Sequence, residues 1–216
     1  MNIDFGCDGI LLKKIEESQL CILKKEVDSI KNNFDSREKA NSRLVGNIQR
    51  EYLLSDESIE CLDKVIRPLI GEYSNQFHGV SNAMILDEDL PIDMTSSWVN
   101  FQKKHEFNPV HRHTGLFSFI LWLDIPFSLE DEYEYPGVAE SASKCAGTVE
   151  WFYTSSMGRI EGHKISVDKT YNNTLALFPA AMLHTVYPFY TSDDYRISVS
   201  GNYYLTTKYG RVNCKE

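Results

Sequence analysis

Two stretches near the start of the chain repeat their apolar residues at helical spacing, and the remainder does not. From Glu16 to about Phe34, Leu20, Leu23, Val27, Ile30 and Phe34 step by three and four with Lys and Glu opposite, which predicts an amphipathic helix. Ser55 is placed to cap a second helix whose first turn holds Asp56 and Glu57, favourable near the positive end of the helix dipole. Its stripe is Ile59, Leu62, Ile66, Leu69, Tyr73 and Phe77, with a kink expected at Pro68. Before the first helix, Gly6 and Gly9 suggest an irregular or short-strand entry; residues 35–54 read as a connector holding a short strand.

From Ala83 onward the texture changes to short β-rich segments divided by Pro, Gly, Asn and Asp. Strands are predicted over Met94–Lys103, Leu116–Leu123, Thr148–Tyr153, Lys164–Asp168, Thr174–Phe178, His184–Phe189 and Arg196–Leu205. Leu116–Leu123 is apolar on both faces and should be central; residues 127–146 read as an acidic loop, either solvated or a lid over a site. Short strands with no alternating helices point to an antiparallel sandwich or jelly roll carrying two helices on its N-terminal side. The expected organisation is one domain, 1–216, with helical support over 1–82 and a jelly-roll core over 83–216.

Composition narrows the function. A net charge of -9 argues against a nucleic-acid backbone or an anionic membrane as the main partner, since both require clustered Lys and Arg. The five cysteines are scattered and lack C-x-x-C spacing, so neither a disulfide framework nor a zinc knuckle is indicated, and a reducing cytoplasm is expected. Charged residues through the first thirty positions exclude a signal-peptide core, and no apolar run is long enough to span a bilayer.

The candidate chemistry lies in the second half. Asn108-Pro109-Val110-His111-Arg112-His113-Thr114-Gly115 precedes the central apolar run, and residues i and i+2 of an extended segment share a face, so His111 and His113 can converge on one ion. A third histidine, His184, opens a strand after Phe178-Pro179. In the last strand Arg196, Ser198, Ser200 and Asn202 share a face while Ile197 and Val199 take the other. An inward arginine requires an anion, because a buried unpaired guanidinium is costly, and a bound carboxylate is the natural partner. His78, His105 and His163 lie outside this constellation. Trp98, Asn100, Gln102 and Trp122 are either pocket lining or core.

From His111 through Asn202 these residues resemble the iron(II) and 2-oxoglutarate-dependent dioxygenases, in particular phage and bacterial members related to prolyl hydroxylases. That family has a His-x-Asp or His-x-Glu pair, a distal His after an F-P turn, and an R-x-S or R-x-T pair about a dozen residues later. The resemblance implies a mainly β, double-stranded β-helix fold (jelly roll) with two supporting N-terminal α-helices. It further implies an Fe(II) site including His111 and His184, and 2-oxoglutarate anchored by Arg196 and Ser198. It also implies a cytoplasmic hydroxylase, phage-encoded and acting in the host cytoplasm, that uses O2 on a small-molecule or peptide substrate.

One position departs from the pattern. His113 stands where the family has a carboxylate, so the third ligand is His113 or a carboxylate from elsewhere, such as Glu150. In another registration His113-Thr114-Gly115 resembles the H-x-G of related halogenases. A non-catalytic jelly roll holding a structural metal is the alternative from a different class, and the Arg196 and Ser198 pair, which a structural site does not need, is what separates the two.

Overall fold

The computed structural model describes residues 2–6, 8–78, 92–207 and 210–211. The change of texture near residue 83 lies outside the described residues. The two helical stripes form as read. A 3-10 turn over Glu17–Leu20 leads into α1 (Cys21–Asn32), which buries Leu23, Val27 and Ile30, and Phe34 follows half-buried in the next turn. α2 (Asp56–Gln76) begins where the Ser55 hydroxyl accepts from the Ser58 N–H, and it runs through Pro68 without a break in its assigned span. Among the described residues no helix is long and apolar enough to cross a membrane.

The strands form two antiparallel sheets, with pairing throughout of the hairpin or crossover type expected of a jelly roll. The larger takes β1 (Ile3–Asp4), β2 (Gly9–Lys14), β9 (Thr174–Pro179), β6 (Phe117–Asp124), β11 (Arg196–Thr207), β4 (Ile92–Gln102) and β3 (Glu51–Leu53) in that order, with β12 (Gly210–Arg211) on β11. The smaller is β5 (Asn108–His111), β10 (His184–Val186), β7 (Thr148–Thr154) and β8 (Ile160–Ser166). Residues before 82 therefore supply three strands as well as the helices. Of these, β2 zips onto β9 from Leu11↔Leu177 to Lys14↔Thr174. Gly9 permits that entry: a Cβ there would collide with the Ile3 carbonyl and the Phe77 ring, and its backbone exchanges hydrogen bonds with the Tyr73 hydroxyl.

Strand alternation makes the two faces of the large sheet chemically distinct. Toward α1 and α2 it presents Val99, Phe101, Phe119, Leu121, Leu177 and Val199, all buried in one apolar core with the helix stripes. Toward the small sheet β9 presents Ala176 and Phe178, which join Trp151, Val149 and Phe189 in a second apolar core. On that same side polar residues enter the central strands, Asn100 and Gln102 on β4, Ser118 on β6, and Arg196, Ser198, Ser200 and Asn202 on β11, beside the apolar Ile120 and Trp122 of β6 and Trp98 of β4.

Two sequence expectations change. The fourth predicted strand of the second half, Lys164–Asp168, is displaced to Ile160–Ser166, because full register with β7 (Thr148↔Ser166 to Thr154↔Ile160) sets its limits while most of its side chains stay exposed. The acidic segment 127–146 is not simply solvated. It contains a short helix, α3 (Leu129–Glu134), and Glu132 is fully buried, its carboxylate accepting from the backbone N–H groups of Tyr190 and Thr191 and from the Thr191 hydroxyl.

Candidate metal centre

β5 and β10 are neighbours, and their register sets His184 directly across from His111. The two are cross-strand partners on adjoining strands. β5 ends at His111, and His113 sits on the connection to β6, where its backbone N–H donates to the Ala180 carbonyl at 2.8 Å. The i, i+2 relation survives the strand end. Ring centroids are separated by 4.2 Å for His111–His184, 4.9 Å for His111–His113 and 5.1 Å for His113–His184. One ligand nitrogen from each lies within 4.8 Å of the others, so small inward rotations let all three meet one ion at the ~2.1 Å of a metal–imidazole bond.

The outer contacts suit ligation. His111 Nδ1 faces the Pro109 carbonyl at 2.7 Å and His184 Nδ1 the Met182 carbonyl at 3.0 Å, which orients each ring and leaves Nε2 for an ion. Burial holds all three imidazoles below their ordinary value of 6.5: His111 is lowered, His113 falls to about 3 with a contribution from His111, and His184 goes well below the usual range. Desolvation disfavours the charged form, so the neutral, ligating form is the resident one.

Glu150 does not join this group. Val149 and Trp151 of β7 face the second core, so the residue between them points to the opposite face, where the Glu150 carboxylate accepts from the Tyr187 hydroxyl at 2.6 Å. Among the described residues no carboxylate belongs to the histidine cluster. Gly115 is explained by the backbone: φ is 113°, and a Cβ would stand 2.7 Å from the Tyr203 carbonyl oxygen. The turn into β6 requires a glycine there whatever binds at the histidines.

A narrow cavity of about 30 Å³ runs from the histidines along the polar face of the large sheet to Arg196, lined also by Asn100, Gln102, Asn108 and Ser198. Trp98 and Trp122 line it too, so both readings offered for Trp122 hold, since it is packed in the second core as well. Arg196 is 2% exposed. Its Nε and Nη2 donate to the Gln102 side-chain oxygen and Nη2 also to the Tyr187 carbonyl, while Nη1 is buried with no partner. Burial lowers its pKa to about 10, opposed by the nearby Glu132 carboxylate, so it stays charged at neutral pH. The Ser198 hydroxyl accepts from Asn100 Nδ2 at 3.3 Å, and the side-chain oxygens of Asn100 and Asn108 are buried and unpartnered as well. Buried polar groups in folded proteins are nearly always satisfied, so three orphans around one cavity describe a place prepared for a polar occupant.

His78, His105 and His163 stand apart from the cluster. His105 adopts φ 69° in the turn before β5 and its ring lies against Tyr190, while His163 packs on Phe5. Sequence reasoning missed Glu132, and no local signal marks it: its partners are 58 and 59 residues away in the chain.

No protein-family model matches the chain, and no curated protein does. Solved structures do. A prolyl-4-hydroxylase from Pseudomonas putida aligns over 92% of this chain and 93% of its own with a TM-score of 0.54 at 12% identity. An oxidoreductase of the 2OG-Fe(II) oxygenase family from Burkholderia pseudomallei aligns over 90% and 84% with a TM-score of 0.49, also at 12% identity. The first likeness shows the fold, the double-stranded β-helix that the sequence implied.

Proposed function

We propose that this protein is an iron(II)- and 2-oxoglutarate-dependent oxygenase that hydroxylates an unactivated C–H bond. The observation that carries the reading is the convergence of His111, His113 and His184 at one end of a cavity whose other end is a buried arginine with an unpaired Nη1. His111, His113 and His184 would hold iron, and imidazole is a ligand that suits it. Arg196 would take the distal carboxylate of 2-oxoglutarate through its free Nη1, with the Ser198 hydroxyl adding a hydrogen bond two residues along the same face. Bound iron would supply the activation of O2 that C–H cleavage requires.

The protein's own contribution is placement and dryness. Three neutral imidazoles leave the charge of about +2 on a ferrous ion undiminished, which suits a dianionic cosubstrate. The cavity between Arg196 and the histidines has room for one or two waters as it stands, so seating 2-oxoglutarate displaces part of its wall. Ile48 is the lining residue carried by the irregular segment before β3. The strand-entry turn accounts for Gly115 and His111 lies with His113 and His184, which supports the three-histidine form over the halogenase reading.

The test is anaerobic loading with iron(II), then release of succinate from 2-oxoglutarate after O2 is admitted. One iron per chain and iron-dependent succinate formation are expected, with both lost in His184→Ala. Full iron binding without any consumption of 2-oxoglutarate would return the protein to the class of structural metal sites.

A further inference from the structure

A second cavity, of about 210 Å³, opens on the other side of the histidines. It shares Trp98, His111 and His113 with the narrow cavity, so a molecule in it would lie against the metal centre from the side away from Arg196. Its volume is below the roughly 300 Å³ of pockets that enclose drug-sized ligands, so the part of a ligand seated in it is small. Leu44, Val45, Leu53 and Trp98 give it an apolar side, and Ser96, Thr114 and Asn202 add uncharged polar groups.

Its charge is the unusual feature. In a protein of net charge -9, the formally charged side chains on this wall are Arg43 and Arg112, and no carboxylate lines it among the described residues. Arg112 makes no hydrogen bond or ion pair among the described residues. Arg43 pairs with Glu38 at 2.7 Å, but both are largely exposed, and such pairs contribute little, so the guanidinium is available for exchange to a ligand.

We infer that this cavity binds the primary substrate and that the substrate is an organic anion, with a carboxylate or phosphate held by Arg43 and Arg112 and an apolar body against Leu44, Val45 and Trp98. The assignment of this molecule as substrate rests on the oxygenase reading above; the preference for an anion does not. Guanidinium groups match both anions with paired hydrogen bonds, and the apolar wall places the carbon skeleton toward the histidines.

The experiment uses the full chain loaded with manganese(II), which shortens the relaxation of nearby ligand protons, in the presence of 2-oxoglutarate. The probes are 3-phenylpropionate, phenyl phosphate and the neutral 3-phenylpropionamide. At least one acid should bind at least tenfold more tightly than the amide, with its protons relaxed by the metal, and the acid that binds better identifies the head group. In R43Q/R112Q that acid should weaken at least tenfold, while the melting temperature and metal stoichiometry report that the fold and the centre are intact. Equal binding of acids and amide, binding of none of them, or unchanged acid binding in the double variant would overturn the inference. Failure of the oxygenase reading is seen separately, as absence of metal or 2-oxoglutarate binding, and the comparison of acids with amide is then read by line broadening in the metal-free protein.

Discussion

The two faces of the large sheet come from the same strands, yet one is finished and the other is not. On β11, Ile197 and Val199 are sealed against the helices among apolar neighbours. Arg196 and Ser198, alternating with them, face a cavity in which three buried polar atoms lack partners. The helix face needs nothing further to be stable. The inner face is left short of hydrogen bonds, and a ligand that supplies them binds the folded state preferentially and stabilises it. Stability and chemistry are thus separated by the parity of a β-strand, and the separation is open to attack from either side.

The largest effect is expected on the inner face. His184→Ala should weaken iron(II) binding on the order of a hundredfold or more and remove oxygenase turnover, while thermal unfolding in the absence of metal changes little. An anaerobic metal titration checks this, and full activity in the variant would remove His184 from the site. The converse is Leu121→Ala on the helix face, which should cost about 2–5 kcal/mol in denaturant unfolding by opening a cavity in the apolar core. Its folded fraction should still bind one metal ion. If Leu121→Ala lost metal in proportion to stability, the two faces would not be independent.

Arg196→Ala comes next. Loss of a charged partner should weaken 2-oxoglutarate binding by about tenfold to a hundredfold with metal binding retained, and Arg196→Lys should recover only part, because an ammonium lacks the planar fork. Calorimetry on the iron-loaded variants reads both numbers. The smallest effect is on pH dependence. The three histidines have folded pKa values below the ordinary 6.5, His113 at about 3, so the unfolded chain binds more protons. Their neutral burial is compatible with full stability above about pH 6.5, and stability falls as pH drops from there toward the folded values. Metal-free protein should therefore lose stability between pH 6.5 and 5, whereas iron affinity should change little between pH 7.5 and 6, since the folded imidazoles remain neutral. A steep loss of iron affinity through pH 6.5 would contradict the burial of the centre.

Much of this was legible in the chain because the relevant signals are local. The stripe through Leu62, Ile66, Leu69 and Tyr73, the i, i+2 histidines and the alternation from Arg196 to Asn202 each follow from the period of one element. What was not legible depends on partners distant in sequence. The entry read as irregular or a short strand becomes the six-residue strand Gly9–Lys14 because β9 offers it a ladder, Glu132 is buried because the backbone at Tyr190 and Thr191 offers two N–H groups, and Ile160–Ser166 is fixed by β7. The site follows the same division. His113, the residue that departs from the expected carboxylate, lies with the other two histidines, whereas the contribution of Ile48, Arg43 and Val45 to the cavity walls comes from a connector with no periodicity to read.

The central claim is that the histidine cluster and Arg196 are two ends of one binding site, and the most direct measurement is the affinity for 2-oxoglutarate with and without iron(II), in wild type, Arg196→Ala and His184→Ala, under anaerobic conditions. Two groups holding one molecule must show linkage. Iron should tighten 2-oxoglutarate binding at least tenfold in wild type, Arg196→Ala should weaken it with or without metal, and His184→Ala should abolish the effect of iron while leaving the weak binding that Arg196 provides. Affinities indifferent to iron and to Arg196 would contradict the account.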